Sequence, residues 1–292
     1  MRVLVCGARG QVGHELMRLA PEWVEPIGLG SAELDVTDPQ AVSAVVRDVR
    51  PELIINASAY TAVDRAESDV AGAYAVNRDG VGYLAAEAQR LGVPLFHIST
   101  DYVFSGDASE PYREDQPTGP TGVYGASKLA GEQVLAATCS RHLILRTSWV
   151  FGSHGANFVK TMLRLGRERE ELAVVADQQG CPTSARSIAQ ALWHSAALWR
   201  RDAVLEWGVY HFAGQPAVSW HEFAVEIFRQ ARESGLLARI PRVRPITSQE
   251  YPTPARRPLW SVLDCSKGRA RLGLEPALWQ EELRLVLAEL PS

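Results

Sequence analysis

Short apolar runs alternate with amphipathic stretches along the first half of the chain. Four runs are almost continuously apolar, as expected of strands buried on both faces of a parallel sheet: RVLVC, ELIINAS, PLFHIST and HLILRTSW. Stretches with helical periodicity, such as PQAVSAVVRDV and GVYGASKLAGEQVLAAT, separate these runs. This alternation predicts right-handed crossovers and an α/β fold with a doubly wound parallel sheet.

The strand and helix signals become less regular after Trp149. The sequence therefore predicts a Rossmann-like dinucleotide-binding domain over residues 1–150 and a smaller C-terminal α/β substrate domain over residues 151–292. Interleaving of the second domain with the first is left open. Within the first domain we expect a long helix from about Val70 to Leu91, interrupted by Gly80 and Gly82.

Composition narrows the classes of function. The chain has 292 residues, 46% of them hydrophobic and 22% charged, which is typical of a globular enzyme. A formal net charge of -4 gives no basis for a nucleic-acid or anionic-membrane partner. The apolar run at the N-terminus is too short for a secretory signal, and we expect no membrane span. Four widely spaced cysteines without a CxxC pair argue against a zinc site or a disulfide framework, so we expect reduced thiols and a cytoplasmic location.

A glycine-rich turn follows the first predicted strand. Gly7, Gly10 and Gly13 form a GxxGxxG pattern between RVLVC and a helical stretch. Glycines at a strand-to-helix turn allow a tight bend and let backbone amides approach a pyrophosphate at the helix N-terminus. The pattern predicts a dinucleotide site.

The end of the second strand bears on the choice of dinucleotide. Many NAD enzymes have an acid there that holds the adenosine ribose, whereas this chain has Gly30 and Ser31. Without a carboxylate, a 2′-phosphate would meet no repulsion, and Arg9 could pair with it. The sequence therefore favours NADPH and leaves NADH as an alternative.

Tyr124 and Lys128 lie four residues apart in a predicted helix and should share one face of it. A cation close to a phenol favours the phenolate, so Lys128 should lower the pKa of Tyr124 toward a range useful for proton transfer. Thr100 and Asp101 end the run PLFHIST and should lie at the same edge of the sheet. Tyr124 is thus a candidate acid.

Several motifs occur together in an order that resembles the dTDP-4-dehydrorhamnose reductase family, whose members are extended short-chain dehydrogenase/reductases. They cover nearly the whole chain: GARGQVG, NASAYTAVDRAE, STDYVF, YGASK, RTSWVFG, NF, DQQGCPT and YPTPARRP. The resemblance implies reduction of the 4-keto group of dTDP-4-dehydro-L-rhamnose by NADPH or NADH. A nucleotide-sugar substrate follows from it, and a homodimer is left open.

The resemblance also implies roles for individual residues. Tyr124 would protonate the developing alkoxide, Lys128 would bind the nicotinamide ribose, and Thr100 would hydrogen-bond the carbonyl oxygen. Seven further positions match the family's cofactor contacts: Gln11, Val12, Asp35, Val36, Ala59, Tyr60 and Thr61. Together with Gly7, Arg9, Gly10 and Gly13 of the glycine turn, they form the predicted cofactor site.

On the substrate side, the resemblance points to Thr100, Asp101 and Trp149. Asn157 and Arg257 are candidate partners for the nucleotide diphosphate. The structural alternatives are that Asn157 caps a helix and that Arg257 is a solvated loop residue. The scattered histidines lack metal-ligand spacing, and we expect them to be structural or exposed.

Two alternatives remain at the level of sequence. Some family members pair through a cation held by acidic residues; Glu15 would suit this, but Arg186 occupies a position where another acid is expected, so no metal is predicted. The motifs also fit a reductase or epimerase of another nucleotide-deoxysugar, or a non-catalytic NADP-binding regulatory subunit. Intact Thr100, Tyr124 and Lys128 argue against the last of these.

Overall fold

The computed structural model describes residues 1–291. The strands in that range are β1 (Arg2–Cys6), β2 (Glu25–Leu29), β3 (Leu53–Asn56), β4 (Leu95–Thr100), β5 (His142–Thr147), β6 (Val150–Phe151), β7 (Glu171–Val175), β8 (Gln179–Gly180), β9 (Thr183–Ser184), β10 (Gly208–His211), β11 (Val218–Ser219) and β12 (Arg242–Ile246). The helices are α1 (Gln11–Arg18), α2 (Pro39–Val49), α3 (Val63–Ala66), α4 (Val70–Tyr74), α5 (Gly80–Leu91), α6 (Val123–Thr138), α7 (Phe158–Glu168), α8 (Ala185–Asp202), α9 (Trp220–Glu233), α10 (Ser266–Leu272) and α11 (Trp279–Ala288).

Six strands form one parallel sheet in the order β10-β5-β4-β3-β1-β2. The four strands β1, β3, β4 and β5 lie inside this sheet, which explains why their sequences are nearly all apolar. The predicted doubly wound α/β fold is confirmed. All six carboxyl ends meet at one edge, where such sheets bind their ligands.

Helices cover both faces of the sheet. On one face, α1 and α8 pack over a core that contains Leu16, Ile188, Leu192 and Trp193. On the other face, α2, α5 and α6 bury a second core. The apolar stripe of each helix is therefore fixed by the sheet it covers.

The second half of the chain builds a smaller layer and also completes the main sheet. β7 and β12 pair in parallel, and α7, α9 and α11 pack with them around a separate core. β10 returns to the main sheet and pairs with β5, so residues beyond 150 enter the first domain. The domain boundary at residue 150 stays a prediction.

The predicted helix from Val70 to Leu91 is interrupted at a different place. A π-helical segment at Ala75–Asp79 joins α4 to α5, whereas α5 begins at Gly80 and runs through Gly82. A Cβ at Gly131 of α6 would overlap the carbonyl oxygen of Asn77, so the irregular turn lies directly against α6. The sequence carries no glycine or proline signal for this turn.

No helix within residues 1–291 is long and apolar enough to cross a membrane. All four cysteines are free thiols, and three of them are buried.

Candidate active site

The glycine loop is held by close contacts with a neighbouring loop. Gly7 has φ of +78°, and a Cβ there would lie 2.6 Å from the backbone nitrogen of Ser58. A Cβ at Gly13 would overlap the carbonyl oxygen of Gly7, so α1 packs directly on the turn. Gly10 caps α1 without a side-chain hydrogen bond. The first amides of α1 are therefore available for an anionic ligand.

A cleft of about 410 Å³ opens beside this loop. Seven of the residues assigned to the cofactor line it: Gly7, Arg9, Gly10, Asp35, Val36, Ala59 and Tyr60. Gln11, Val12 and Gly13 lie in the first turn of α1 behind the loop, and Thr61 follows Tyr60 without lining the cleft. The glycine turn in this cleft and the free amides at the start of α1 fit a dinucleotide.

The end of β2 has a carboxylate that the sequence analysis did not consider. Glu33 folds back to the end of β2, where its Oε2 accepts a hydrogen bond from the Gly30 amide at 3.0 Å. The same carboxylate forms a salt bridge with Arg9, which raises the pKa of Arg9 and lowers that of Glu33. Arg9 is thus paired in this structure. This acid lies three residues after Gly30, the position where it is expected. A Cβ at Gly30 would contact the side chains of both Arg9 and Glu33.

Tyr124 and Thr100 lie together at the carboxyl edge of the sheet. Thr100 ends β4, and its hydroxyl lies close enough to the Tyr124 phenol to oppose the rise in the pKa of that phenol, while it donates its own hydrogen bond to Asp101 at 2.9 Å. Gly125 brings α6 onto this edge, because a Cβ there would overlap the carbonyl oxygen of Tyr102. The Tyr102 ring meets the Tyr124 ring edge-on, with centroids 5.4 Å apart. Placement of the phenol therefore depends on the glycine in YGASK.

The prediction that Lys128 lowers the pKa of Tyr124 is wrong in this structure. Burial raises the pKa of Tyr124, and the nearby Thr100 hydroxyl only partly opposes this shift. The Lys128 amine points elsewhere: Nζ donates to the carbonyl oxygen of Ile98 at 2.7 Å. Side chains four apart on a helix share a face, but a long lysine stem can still reach into the sheet instead.

Lys128 is itself perturbed. Its side chain is 2% exposed, and burial lowers its pKa to about 8, against an opposing effect of Glu132. Nζ also lies 3.2 Å from Nε2 of His97, which is fully buried in β4. The wide spacing of the histidines along the chain did not identify His97 as a partner of Lys128. The available signal was a polar residue in the middle of an otherwise buried strand.

Asp101 is a buried acid beside Thr100. It is 3% exposed and accepts a hydrogen bond from the Thr100 hydroxyl at 2.9 Å. Within the described part of the chain, its Oδ2 has no hydrogen-bond partner. Burial raises the pKa of Asp101 to about 6. An unpartnered carboxylate oxygen at this edge is available to a ligand hydroxyl.

Trp149 forms an aromatic wall after β5. Its backbone has φ of +48°, an uncommon conformation for a residue with a side chain. The indole stacks on Trp220 with centroids 3.5 Å apart and lies against Gly180, where a Cβ would overlap the ring. The strained backbone and the stack together fix the orientation of this ring.

Asn157 and Arg257 both have protein partners. Asn157 caps α7 through Oδ1, and its Nδ2 donates to Gln11 Oε1 at 2.9 Å, which ties α7 to the glycine loop. Arg257 forms a 2.6 Å salt bridge with Asp64 and donates to the Tyr102 hydroxyl at 3.1 Å. Asn157 therefore has the helix-capping role, whereas Arg257 is held at the site by two side chains.

The candidate metal position contains arginines. Glu15 is buried and forms a 2.6 Å salt bridge with Arg18, which also contacts Glu289. Over residues 1–291, no group of three or more His, Cys, Asp or Glu side chains is arranged to hold a metal ion.

The protein's groups can therefore perform one kind of chemistry at this edge. A protonated phenol and a threonine hydroxyl lie together at the edge of the sheet that also carries the glycine loop, and a buried lysine follows the phenol one turn further along α6. Such a site can donate a proton to an oxygen that gains negative charge.

Comparison with known proteins gives consistent matches over the whole chain. The RmlD substrate binding domain family matches residues 1–292. A dTDP-4-dehydrorhamnose reductase of Aggregatibacter actinomycetemcomitans is 44% identical over 289 residues, covering 98% of each chain. One of Burkholderia thailandensis is 45% identical over 298 residues, covering 100% of each chain.

A solved structure agrees with these matches. The dTDP-4-dehydrorhamnose reductase of Bacillus anthracis, solved in complex with NADP, is 38% identical and superimposes with a TM-score of 0.90 over 99% of each chain. UDP-glucose 4-epimerase of Thermus thermophilus is 23% identical with a TM-score of 0.76, which shows a shared fold.

Proposed function

The chain belongs to the dTDP-4-dehydrorhamnose reductase family, and we propose that it reduces the 4-keto group of dTDP-4-dehydro-L-rhamnose to give dTDP-L-rhamnose. The observation that carries this proposal is the convergence of the Tyr124 phenol and the Thr100 hydroxyl at the ligand-binding edge of the sheet. A ketone oxygen placed there would receive one hydrogen bond and one proton.

NADPH supplies the hydride, and the protein's residues manage the charge and the proton. Thr100 hydrogen-bonds the carbonyl oxygen, and Tyr124 donates its proton to that oxygen as negative charge develops. The raised pKa of Tyr124 keeps the phenol protonated at neutral pH, as reduction requires. Lys128, whose Nζ is turned toward β4, would bind the nicotinamide ribose behind the phenol, as the family resemblance implies. The ketone gains two electrons and two hydrogens in all, and the nicotinamide is oxidised.

The cofactor is held by the glycine loop and the cleft beside it. The first amides of α1 would hold the pyrophosphate, and Asp35, Val36, Ala59 and Tyr60, which line the cleft, would contact the adenosine portion. To bind a 2′-phosphate, Arg9 would give up its salt bridge with Glu33. Because this pair is exposed, the exchange costs little.

The substrate lies between Asp101 and Trp149. The unpartnered Oδ2 of Asp101 accepts from a sugar hydroxyl, and the Trp149 indole packs on an apolar face of the sugar. Arg257 reaches the diphosphate from its position beside Tyr102, and Asn157 supports the glycine loop through Gln11.

Turnover with a defined substrate tests this function. Purified protein is given dTDP-4-dehydro-L-rhamnose with NADPH or NADH, nucleotide oxidation is followed by absorbance, and the product is identified by NMR. We expect the L-rhamnose product, and we expect Tyr124→Phe to lower kcat at least ~100-fold, the lower range for general acid catalysis.

The matched control is Tyr102→Phe, which removes the neighbouring phenol hydroxyl but leaves the acid in place. Because that hydroxyl holds Arg257, the two variants are compared by kcat and not by KM. Wild-type protein that oxidises no nucleotide would refute the reductase assignment. A Tyr124→Phe variant with undiminished kcat would refute the role of the phenol, and a different sugar product would favour a related deoxysugar reductase.

A homodimer and a cytoplasmic location stay predictions. The four free thiols are compatible with a reducing compartment.

A further inference from the structure

A buried chain of hydrogen bonds connects the Lys128 amine to the floor of the cofactor cleft. Nζ of Lys128 lies 3.2 Å from Nε2 of His97, and Nδ1 of His97 lies 3.1 Å from Nδ2 of Asn56. Oδ1 of Asn56 accepts from the backbone nitrogen of Ser58 at 3.0 Å and from the Ser58 hydroxyl at 2.5 Å. Ser58 lines the cleft, whereas Asn56, His97 and Lys128 are each 2% exposed or less.

The fixed donor at Ser58 determines the polarity of this chain. A backbone N–H can only donate, so the Asn56 atom that faces it must be the oxygen. The Asn56 NH₂ group then faces His97 Nδ1, which must accept. A neutral imidazole that accepts at Nδ1 carries its proton on Nε2. His97 therefore presents an N–H to Lys128.

Only one proton can lie between His97 Nε2 and Lys128 Nζ. An ammonium group cannot accept a hydrogen bond, so the arrangement seen here suits a neutral Lys128 amine that accepts from His97. If Lys128 gains a proton, His97 must move its own proton to Nδ1, and the Asn56 amide must turn its oxygen toward it. Ser58 N–H then loses its acceptor.

We propose that His97 and Asn56 are positioning residues that couple the protonation of Lys128 to the tautomer of His97 and to the Ser58 loop. The proposal deepens the proposed reductase function and rests on it for its catalytic consequence. In each cycle one proton added at Nζ is matched by one moving from Nε2 to Nδ1 of His97, with no change in the charge of the imidazole. Burial and the nearby Lys128 hold the pKa of His97 well below its usual value, in keeping with a ring that stays neutral.

Other groups around Lys128 do not supply the same coupling. From α6, Glu132 lies one turn beyond Lys128 and Tyr124 one turn before it. Glu132 is occupied by a 2.6 Å salt bridge with Arg146 of β5 and by the Ser99 hydroxyl. Ile98 contributes a carbonyl oxygen that accepts from Nζ in either protonation state. His97 is thus the partner among the described residues whose donor and acceptor roles must reverse.

NMR on the free protein tests the coupling without turnover. The chain has three lysines, so ¹³C labelling of lysine gives a resolvable Lys128 signal, assigned by its loss in Lys128→Met. Labelling of the seven histidines with ¹⁵N reports each tautomer, and His97→Gln identifies the His97 signal. We expect the His97 proton on Nε2 at high pH and on Nδ1 at low pH, with the same midpoint as Lys128. In Lys128→Met we expect the Nε2–H tautomer at every pH.

A pH profile tests the catalytic consequence. The glutamine of His97→Gln can turn its amide oxygen toward an ammonium, so the charged form of Lys128 no longer costs a rearrangement. We expect the high-pH midpoint of kcat/KM for ketone reduction to rise by about one pH unit, the size of shift that a single hydrogen bond to a charged group produces. A purely structural role for His97 would lower stability or kcat without moving this midpoint.

Two results would overturn the proposal. A His97 tautomer that stays constant while Lys128 titrates, or an imidazolium in the same pH range, would exclude the coupling. An unchanged midpoint in a folded His97→Gln variant would exclude its role in the reaction. Failure of wild-type turnover would refute the reductase function instead, and the NMR result would still stand by itself.

Discussion

At the scale of single residues, Asp101 is a buried acid, and burial disfavours its charged form. Its pKa is raised from an ordinary value of 3.8 to about 6, so the folded chain binds more protons than the unfolded chain between these values. The free energy of unfolding should therefore fall as pH rises from about 4 to about 6 and be level above. The full effect is at most about 3 kcal/mol, from ~1.4 kcal/mol per pKa unit.

We expect Asp101→Asn to remove this pH-linked loss. At pH 7.5 the variant should be more stable than wild type by about 1 to 3 kcal/mol, with the difference shrinking toward pH 4. Urea unfolding at several pH values measures it. Asp48→Asn on the exposed face of α2 serves as the control and should change stability by less than about 0.5 kcal/mol. A variant that is equally stable at pH 7.5 would contradict the argument.

The site shows which residues a sequence can identify. Tyr124, Thr100 and the glycine turn were predictable because each depends on a position at the end of a strand or the start of a helix. The Arg9 to Glu33 pair and the His97 to Lys128 contact were not, since both depend on where long or buried side chains turn after folding. The hydrophobic pattern predicts the strands and helices, whereas these contacts also depend on the conformations of the side chains.

At the scale of elements, α6 lies against the turn that follows β4, with no room for a side chain at Gly125. A Cβ there would overlap the carbonyl oxygen of Tyr102, so Gly125→Ala must push the helix away from this turn. Because Tyr124 precedes this residue, the phenol should move relative to Thr100. A misplacement of about 1 Å can cost ~100-fold in rate, so we expect a fall in kcat of that order.

Steady-state kinetics and urea unfolding together check this expectation. The matched control is Gly119→Ala, where the added Cβ would lie 3.7 Å from Ser105 in ordinary contact. Alanine is favoured over glycine in helices by about 1 kcal/mol, so a Gly125→Ala variant with wild-type kcat and raised stability would show that α6 accommodates the methyl group.

Strand β12, which the sequence did not predict, has a weak hydrophobic pattern. β12 reads RVRPI and is mostly exposed, so its alternation includes two arginines and a proline instead of an apolar run. The apolar strands of the main sheet were predictable because burial on both faces leaves no such ambiguity. β12 lies at the edge of a two-stranded sheet, where its pairing with β7 determines the fold more than its own residues do.

At the scale of the whole molecule, the two halves of the chain share one core. α8 covers the face of the sheet that α1 also covers, and Trp193 donates to the carbonyl oxygen of Leu16 at 3.1 Å across 177 residues. β10 extends the main sheet beyond β5. A dinucleotide-binding half made of the first 150 residues would therefore lack one strand and one covering helix.

A chain that ends at Ser153 should fail to fold cooperatively. Removal of α8 takes away the buried side chains of Ile188, Leu192 and Trp193 and exposes their partners on the sheet, at about 2 kcal/mol for each large apolar group. Three such losses come to about 6 kcal/mol, which is comparable to the whole stability of 5–15 kcal/mol that a domain typically has. We expect no sigmoidal urea transition by circular dichroism, and we expect one to return when the fragment is mixed with residues 154–292. A cooperative transition in the shorter chain alone would show that the first half is an independent domain and that it folds without α8.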